Sequence, residues 1–181
     1  MPGPSTSYGP TVRSDRPSFA DAPITPTSIQ NVTFKEYGFG PFRMAVWSFT
    51  AASLTINAGT NGYVAQQLGT FPRGNINITN GVMAFNLSGI TGGGGNMQFS
   101  VGSTATADST LGGTDIDMMA ASSASSTLAN SRKTAASWHD GTTTAVPIYL
   151  NGNTASAATA GVVVVTGNLS LCFSNAGYYA S

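Results

Sequence analysis

The sequence predicts an all-β protein: an antiparallel β-sandwich or jelly roll with an extended Pro-rich N-terminal arm. Three observations carry the prediction. Residues 160–174 (AGVVVVTGNLSLCFS) alternate over an unusual length, with Val163, Val165, Gly167, Leu169, Leu171 and Phe173 on one face. Helix formers of the charged type are nearly absent: Glu36 is the only glutamate, and Lys35 and Lys133 are the only lysines. Turn signals recur about every 8–12 residues, the rhythm of a sandwich, jelly roll or barrel.

Residues 1–28 form the arm. Six of the nine prolines lie here (Pro2, Pro4, Pro10, Pro17, Pro23 and Pro26). Proline at that density blocks helix and sheet ladders and favours polyproline II. Tyr8, Val12, Phe19 and Ile24 are spaced apolar anchors for another surface, with Arg13, Asp15, Arg16 and Asp21 between them. The globular domain spans 29–181. Its first strand is read at Ile29–Phe34, followed by a Gly/Pro turn region at Tyr37–Phe42. Met44–Thr50 and Ser53–Asn57 are strand-like, and Asn61–Gly62 is a turn signal before Tyr63.

Asn75–Thr79 and Val82–Ser88 flank Asn80–Gly81, the dipeptide of a type I′ hairpin turn. A two-residue loop sets Ile78 opposite Met83 and Ile76 opposite Phe85, so turn chemistry and apolar pattern agree on a hairpin. Met97–Val101 is a strand, Thr104–Gly113 a polar loop, Ile116–Ala121 an ambiguous strand, and Ser122–Lys133 the one stretch with a helical leaning. Residues 135–150 read as strand, Asp140–Gly141 turn, strand, with a further turn at Asn151–Gly152. The 160–174 strand is expected at the centre of a sheet, buried on both faces at its start (Val162, Val164) and on one face later, where Thr166, Asn168, Ser170 and Cys172 turn outward.

Charged residues make up 8% of the 181-residue chain, against roughly 25% in an ordinary soluble protein. Seven basic and seven acidic residues cancel. There is therefore no electrostatic case for nucleic acid or for an anionic membrane. Cys172 is the only cysteine, which leaves no internal disulfide and no cysteine zinc site. Met1 is followed by PGPSTSYGPT, with neither the basic start nor the apolar run of a signal peptide. A surface-protein composition without a secretion signal suits a virion component made in the host cytoplasm.

Chemistry is sparse. His139, the only histidine, stands beside Asp140, but neighbours on a strand point opposite ways and no G-x-S-x-G elbow presents a nucleophile. Asp115 and Asp117 would share a strand face, yet no calcium-loop pattern surrounds them. Gly92–Gly95 lacks the Lys-Ser/Thr of a phosphate loop. No catalytic, cofactor or metal residues are assigned, and the chain is expected not to be an enzyme. Trp47 reads as core. Trp138, beside a turn, is the candidate platform for a glycan.

The segment ATAGVVVVTGNLSLCFSNAG (158–177) resembles the carboxyl-terminal strand of small virion proteins of tailed phages, marine and cyanobacterial ones in particular. Those proteins share the Gly/Thr/Ala/Ser-rich, low-charge composition and the TAG–strand–TG pattern. The resemblance implies a capsid decoration (cement) protein on the capsid exterior. It would be homotrimeric, with the major capsid protein as partner and without catalytic residues. In that reading Tyr8, Arg13, Arg16 and Phe19 of the arm are the capsid contacts. The rival readings are a carbohydrate-binding or adhesion module on a phage fibre, resting on Trp138, and a hydrolase resting on His139 or the Asp115/Asp117 pair.

Overall fold

A computed structural model describes residues 23–39, 42–89, 97–107, 110–124, 129–133, 137–141, 143–154 and 160–175. They form two packed antiparallel sheets. The strands are β1 (Thr25–Pro26), β2 (Val32–Phe39), β3 (Phe42–Ile56), β4 (Tyr63–Thr70), β5 (Asn75–Ser88), β6 (Met97–Gly102), β7 (Met119–Ala124), β8 (Ala129–Lys133), β9 (Ser137–Asp140), β10 (Pro147–Thr154) and β11 (Gly161–Asn175). One sheet has the order β1-β4-β10-β6-β7. The other has the order β2-β3-β11-β5-β8, with β9 sharing the β5 edge below β8. The all-β sandwich expectation holds.

The alternating stretch at 160–174 is β11, and it lies at the centre of the six-stranded sheet between β3 and β5. Val163, Val165, Leu169, Leu171 and Phe173 are all buried. The opposite face is open from its start, since Val162 is 40% exposed and Val164 half-buried. The expected two-sided burial fails because nothing among the described residues packs on that side.

Both neighbours of β11 carry a β-bulge. Val165 and Gly167 pair with Ala52 and Phe49, so β3 spends three steps where β11 spends two. Ala51 takes the strain at φ 52°, and its N–H donates to Thr166 Oγ1 at 3.2 Å. The bulge turns the inward set from Ala45, Trp47 and Phe49 to Ala52, Leu54 and Ile56. The two strand-like pieces of the sequence are therefore one strand. On the other side Cys172 and Phe173 pair with Asn80 and Ile78, which leaves Thr79 as the extra residue.

That second bulge overturns the Asn80–Gly81 hairpin. β5 runs straight through the dipeptide. Ile76 and Ile78 face inward before it, and Met83, Phe85 and Leu87 after it. A bulge and a two-residue turn both slip the apolar phase by one residue, so the pattern fits either. Pairing with β11 along the whole length decides it.

Other readings are corrected in the same way. Strand β2 reaches Phe39, so much of the Tyr37–Phe42 turn region is strand. β9 and β10 are not a hairpin, because they lie in different sheets. Asn151–Gly152 sits inside β10, paired on both sides. Gly152 is there for packing: a Cβ would come 2.9 Å from Phe99 Cε1. Described parts of Ser122–Lys133 are strand, because edge pairing with β6 and β5 overrides a weak helical leaning. Ile24, read as an anchor for another surface, is 2% exposed in this domain's own core, and Thr25–Pro26 pair with β4. The last residues of the predicted arm thus belong to the sandwich.

The two sheets meet through aromatic side chains. Phe85 stacks edge-on against Phe49 at 5.0 Å and against Phe99 of the opposite sheet at 5.7 Å. Trp47 is core, as expected, and its indole N–H donates to the Leu68 carbonyl across the sandwich at 3.2 Å. At one end Arg43 is drawn inward, its side chain 5% exposed and its guanidinium 5.2 Å from the Phe173 ring centre. Glu36 Oε1 lies 2.7 Å from Arg43 Nη1, and Glu36 Oε2 accepts from the Ile24 N–H at 2.8 Å. Nε and Nη2 of Arg43 are buried with no hydrogen-bond partner. Such a pair repays little of its desolvation, whereas removal of one member leaves an uncompensated charge. Glu36→Ala is expected to destabilise by about 3–5 kcal/mol in chemical denaturation, and Arg43→Met with Glu36→Leu to cost less than that, the residual loss coming from the Ile24 N–H left without its acceptor. A Glu36→Ala loss below about 1 kcal/mol would contradict this assignment.

Candidate functional site

Two features are open to chemistry or binding. The first is a polar cluster where β9 meets the loop after β6. His139 points in from β9 and Asp140 points out, which is the alternation expected of neighbours on a strand. The acid that meets His139 is Asp117, not Asp140: Nδ1 lies 3.6 Å from Asp117 Oδ2. Ser137, two residues earlier and on the same face, sets its Oγ 3.2 Å from His139 Nε2. Asp117 accepts from Ser103, from its N–H at 2.8 Å and from its Oγ at 2.5 Å.

A serine, a histidine and an aspartate are therefore neighbours. Sequence spacing gave no sign of it, because Asp117 and Ser103 arrive from the other sheet. The geometry is that of a latch. Asp117 has a donor at each oxygen, and its separation from Nδ1 exceeds hydrogen-bond length. Asp115 and Asp117 do not share a strand face. They lie in and after a 3₁₀ turn at Gly113–Asp115, and Asp115 Oδ1 accepts from Thr104 Oγ1 at 2.9 Å. No group of three or more metal-binding side chains occurs among the described residues. Gly92–Gly95 and the arm residues Tyr8, Arg13, Arg16 and Phe19 lie outside the described residues.

Beside the latch is a recess of about 390 Å³, lined by Ser103, Trp138, His139, Asp140, Thr144 and the segment up to Pro147. Trp138 is 66% exposed, so the side chain singled out from sequence stands in the open. The crossing that forms the far wall is pinned. Gly74 and Gly141 exchange backbone hydrogen bonds, the Phe71 N–H donates to the Val146 carbonyl at 2.9 Å, and Arg73 donates to the Thr143 carbonyl.

The second feature is the outer face of the six-stranded sheet. Tyr37, Phe42, Met44, Val82, Trp138 and Val162 are the exposed large apolar side chains among the described residues, and the register sets all six on this face. Tyr37 pairs with Met44, which pairs with Cys172. Phe42, 73% exposed, lies in the next row with Ser174, Asn77 and Trp138. Sequence reading missed the corner of Tyr37, Phe42 and Met44 by assigning its aromatics to a turn.

The outer face of the five-stranded sheet is covered at its middle instead, while Gln98 on the same face is exposed. Asn151 and Ser100 pair on that face and are fully buried beneath the loop after β6. Asn151 Nδ2 donates to the carbonyls of Thr104 (2.8 Å) and Asp115 (3.0 Å), its Oδ1 accepts from the Thr106 N–H, and Ser100 Oγ donates to the Asp115 carbonyl.

Comparison with family profiles, with curated proteins and with solved structures finds no match to this chain. The site therefore rests on its own geometry. As a latch, Asp117→Asn is expected to cost about 1–3 kcal/mol in thermal or urea unfolding, with Ser137→Ala costing less than about 1 kcal/mol. A fluorophosphonate probe is expected to leave Ser137 unlabelled. Labelling that disappears in Ser137→Ala would make the cluster a nucleophilic site instead.

Proposed function

We propose that this chain is a non-enzymatic structural protein of a virion. It would decorate a phage capsid from the outside, assembled as a homotrimer and bound to the major capsid protein. One observation carries the reading: the outer face of the six-stranded sheet bears an apolar corner of Tyr37, Phe42 and Met44 that no described residue covers, while the middle of the other sheet's outer face lies under the chain's own loop. Contiguous exposed apolar surface on a soluble domain marks an interaction site. In a chain with zero net charge, packing rather than electrostatic attraction has to supply the affinity. The strand resemblance at 158–177 gives the class of partner.

Self-association through this corner leaves the edges and the arm for the lattice, and cyclic symmetry suits a threefold capsid position. Residues 1–22 are the segment to remove, since Ile24–Pro26 are part of the fold. Three outcomes are expected. The purified protein sediments as a trimer. The double change Phe42→Asp with Met44→Asp gives a folded monomer by circular dichroism. Removal of residues 1–22 abolishes co-sedimentation with capsids of the phage that encodes the chain. Cys172, half-buried in the same row as Tyr37 and Met44, is expected to react with a thiol reagent faster in the double variant than in the wild type. A wild-type monomer that fails to bind capsids would reject the proposal.

A further inference from the structure

We infer that residues 176–181, which carry Tyr178 and Tyr179, fill the apolar corner of a neighbouring copy, so that the trimer is a ring of exchanged tails. This rests on the trimer of the proposed function and names the segment that makes it. Residues 176–181 lie outside the described residues, and the inference starts from the point at which they leave the sandwich. β11 runs to Asn175, and Ser174 pairs directly with Phe42. Phe42 thus stands in the last outward row of β11, with Tyr37 and Met44 in the row before it. Asn175 is fully buried and its amide donates to the Arg73 carbonyl at 3.1 Å, which fixes the exit point.

The chemistry of the segment matches the corner. Residues 176–181 read AGYYAS, two adjacent tyrosines and no charged side chain. Tyrosine rings laid on Tyr37 and Phe42 gain offset or edge-on contacts beyond the area they bury, and the Met44 thioether is a further favourable neighbour for an aromatic ring. Burial of such a segment takes no ionised side chain of its own out of water.

Symmetry and direction point to the neighbour's corner. A patch that meets its own copy is isologous and makes a twofold dimer, whereas a ring of three needs two different surfaces in each contact. In a trimer the corner must therefore meet something other than a second corner. Tyr37 and Met44 lie back along β11 from Ser174, so a chain that continues past Asn175 moves away from its own corner. Only Ala176 and Gly177 precede the first tyrosine, which leaves little chain for a reversal.

The test compares the wild type with a variant lacking residues 176–181 and with Tyr178→Ala/Tyr179→Ala by sedimentation. The wild type is expected to be a trimer and both variants to be monomers, folded by circular dichroism. Removal of residues 1–22 is expected to leave the trimer intact. A second measurement shows whose corner is filled. Ala180→Cys sets a thiol beside the tyrosines, and a short bismaleimide is expected to link it to Cys172 of a neighbouring copy. Covalent trimers then run on denaturing gels and disappear in Ala180→Cys/Cys172→Ser. A trimer that survives loss of residues 176–181 would overturn the inference and leave the trimer standing. A monomeric wild type would overturn both. Links formed only within one chain would put the tail on its own corner and overturn the exchange.

Discussion

The structure depends on one strand keeping its phase. β11 directs every second residue into the core from Val163 to Phe173, and each of its neighbours must match that beat. Neither β3 nor β5 has a sequence of constant phase, so each inserts a residue where its phase slips. A slip of one residue would otherwise turn Ala52, Leu54 and Ile56, or Ile76 and Ile78, out to solvent. Each such Leu or Ile side chain is worth about 1.5–3 kcal/mol buried, so either bulge is the cheaper distortion by a wide margin. Gly167 marks where the sheet is tightest. It sits at φ 141°, and a side chain there would run into the Ala84 carbonyl.

This explains what the sequence could and could not convey. Strand content, the central position of β11, the burial of Trp47 and the exposure of Trp138 follow from local alternation and composition, and they were legible. Pairing was not. The Asn80–Gly81 and Asn151–Gly152 dipeptides look like chain reversals and the slip near Ala51 like a break between two strands, because a turn and a bulge share a signature and a tightly packed glycine resembles a turn glycine. Only the partner strand separates them, and the partners are distant: Cys172 for Asn80, Val165 for Ala52, Phe99 for Gly152. The His139–Asp117–Ser103 cluster was hidden for the same reason, since its members come from different sheets.

The two outer faces differ for a physical reason found in Asn151. A fully buried amide needs all its hydrogen bonds. This one obtains them from the backbone of the loop after β6, which is thereby laid over the five-stranded sheet. The six-stranded sheet's fully buried amide, Asn175, points inward and donates to the Arg73 carbonyl, so among the described residues no buried amide draws a loop over its outer face. Its outward ladder is Ser48 to Asn168 and Thr166 to the Ala51 N–H, contacts already satisfied within the sheet. The loop is thus held over the middle of one sheet only, and the apolar corner of Tyr37, Phe42 and Met44 has no cover from the described chain.

The crossing between β9 and β10 ties these features to the recess. Had residues 135–150 formed a hairpin, Trp138 and Tyr149 would stand in one sheet, and the rim between the sheets would be closed by a tight turn. Instead the chain leaves the six-stranded sheet after Asp140 and enters the other at Pro147. The segment between them becomes a wall held by backbone bonds at Gly74 and Phe71. The recess is thus a product of topology, not of loop length. The exposed indole is set at its mouth because β9, an edge strand of four residues, has no further strand to cover it among the described residues.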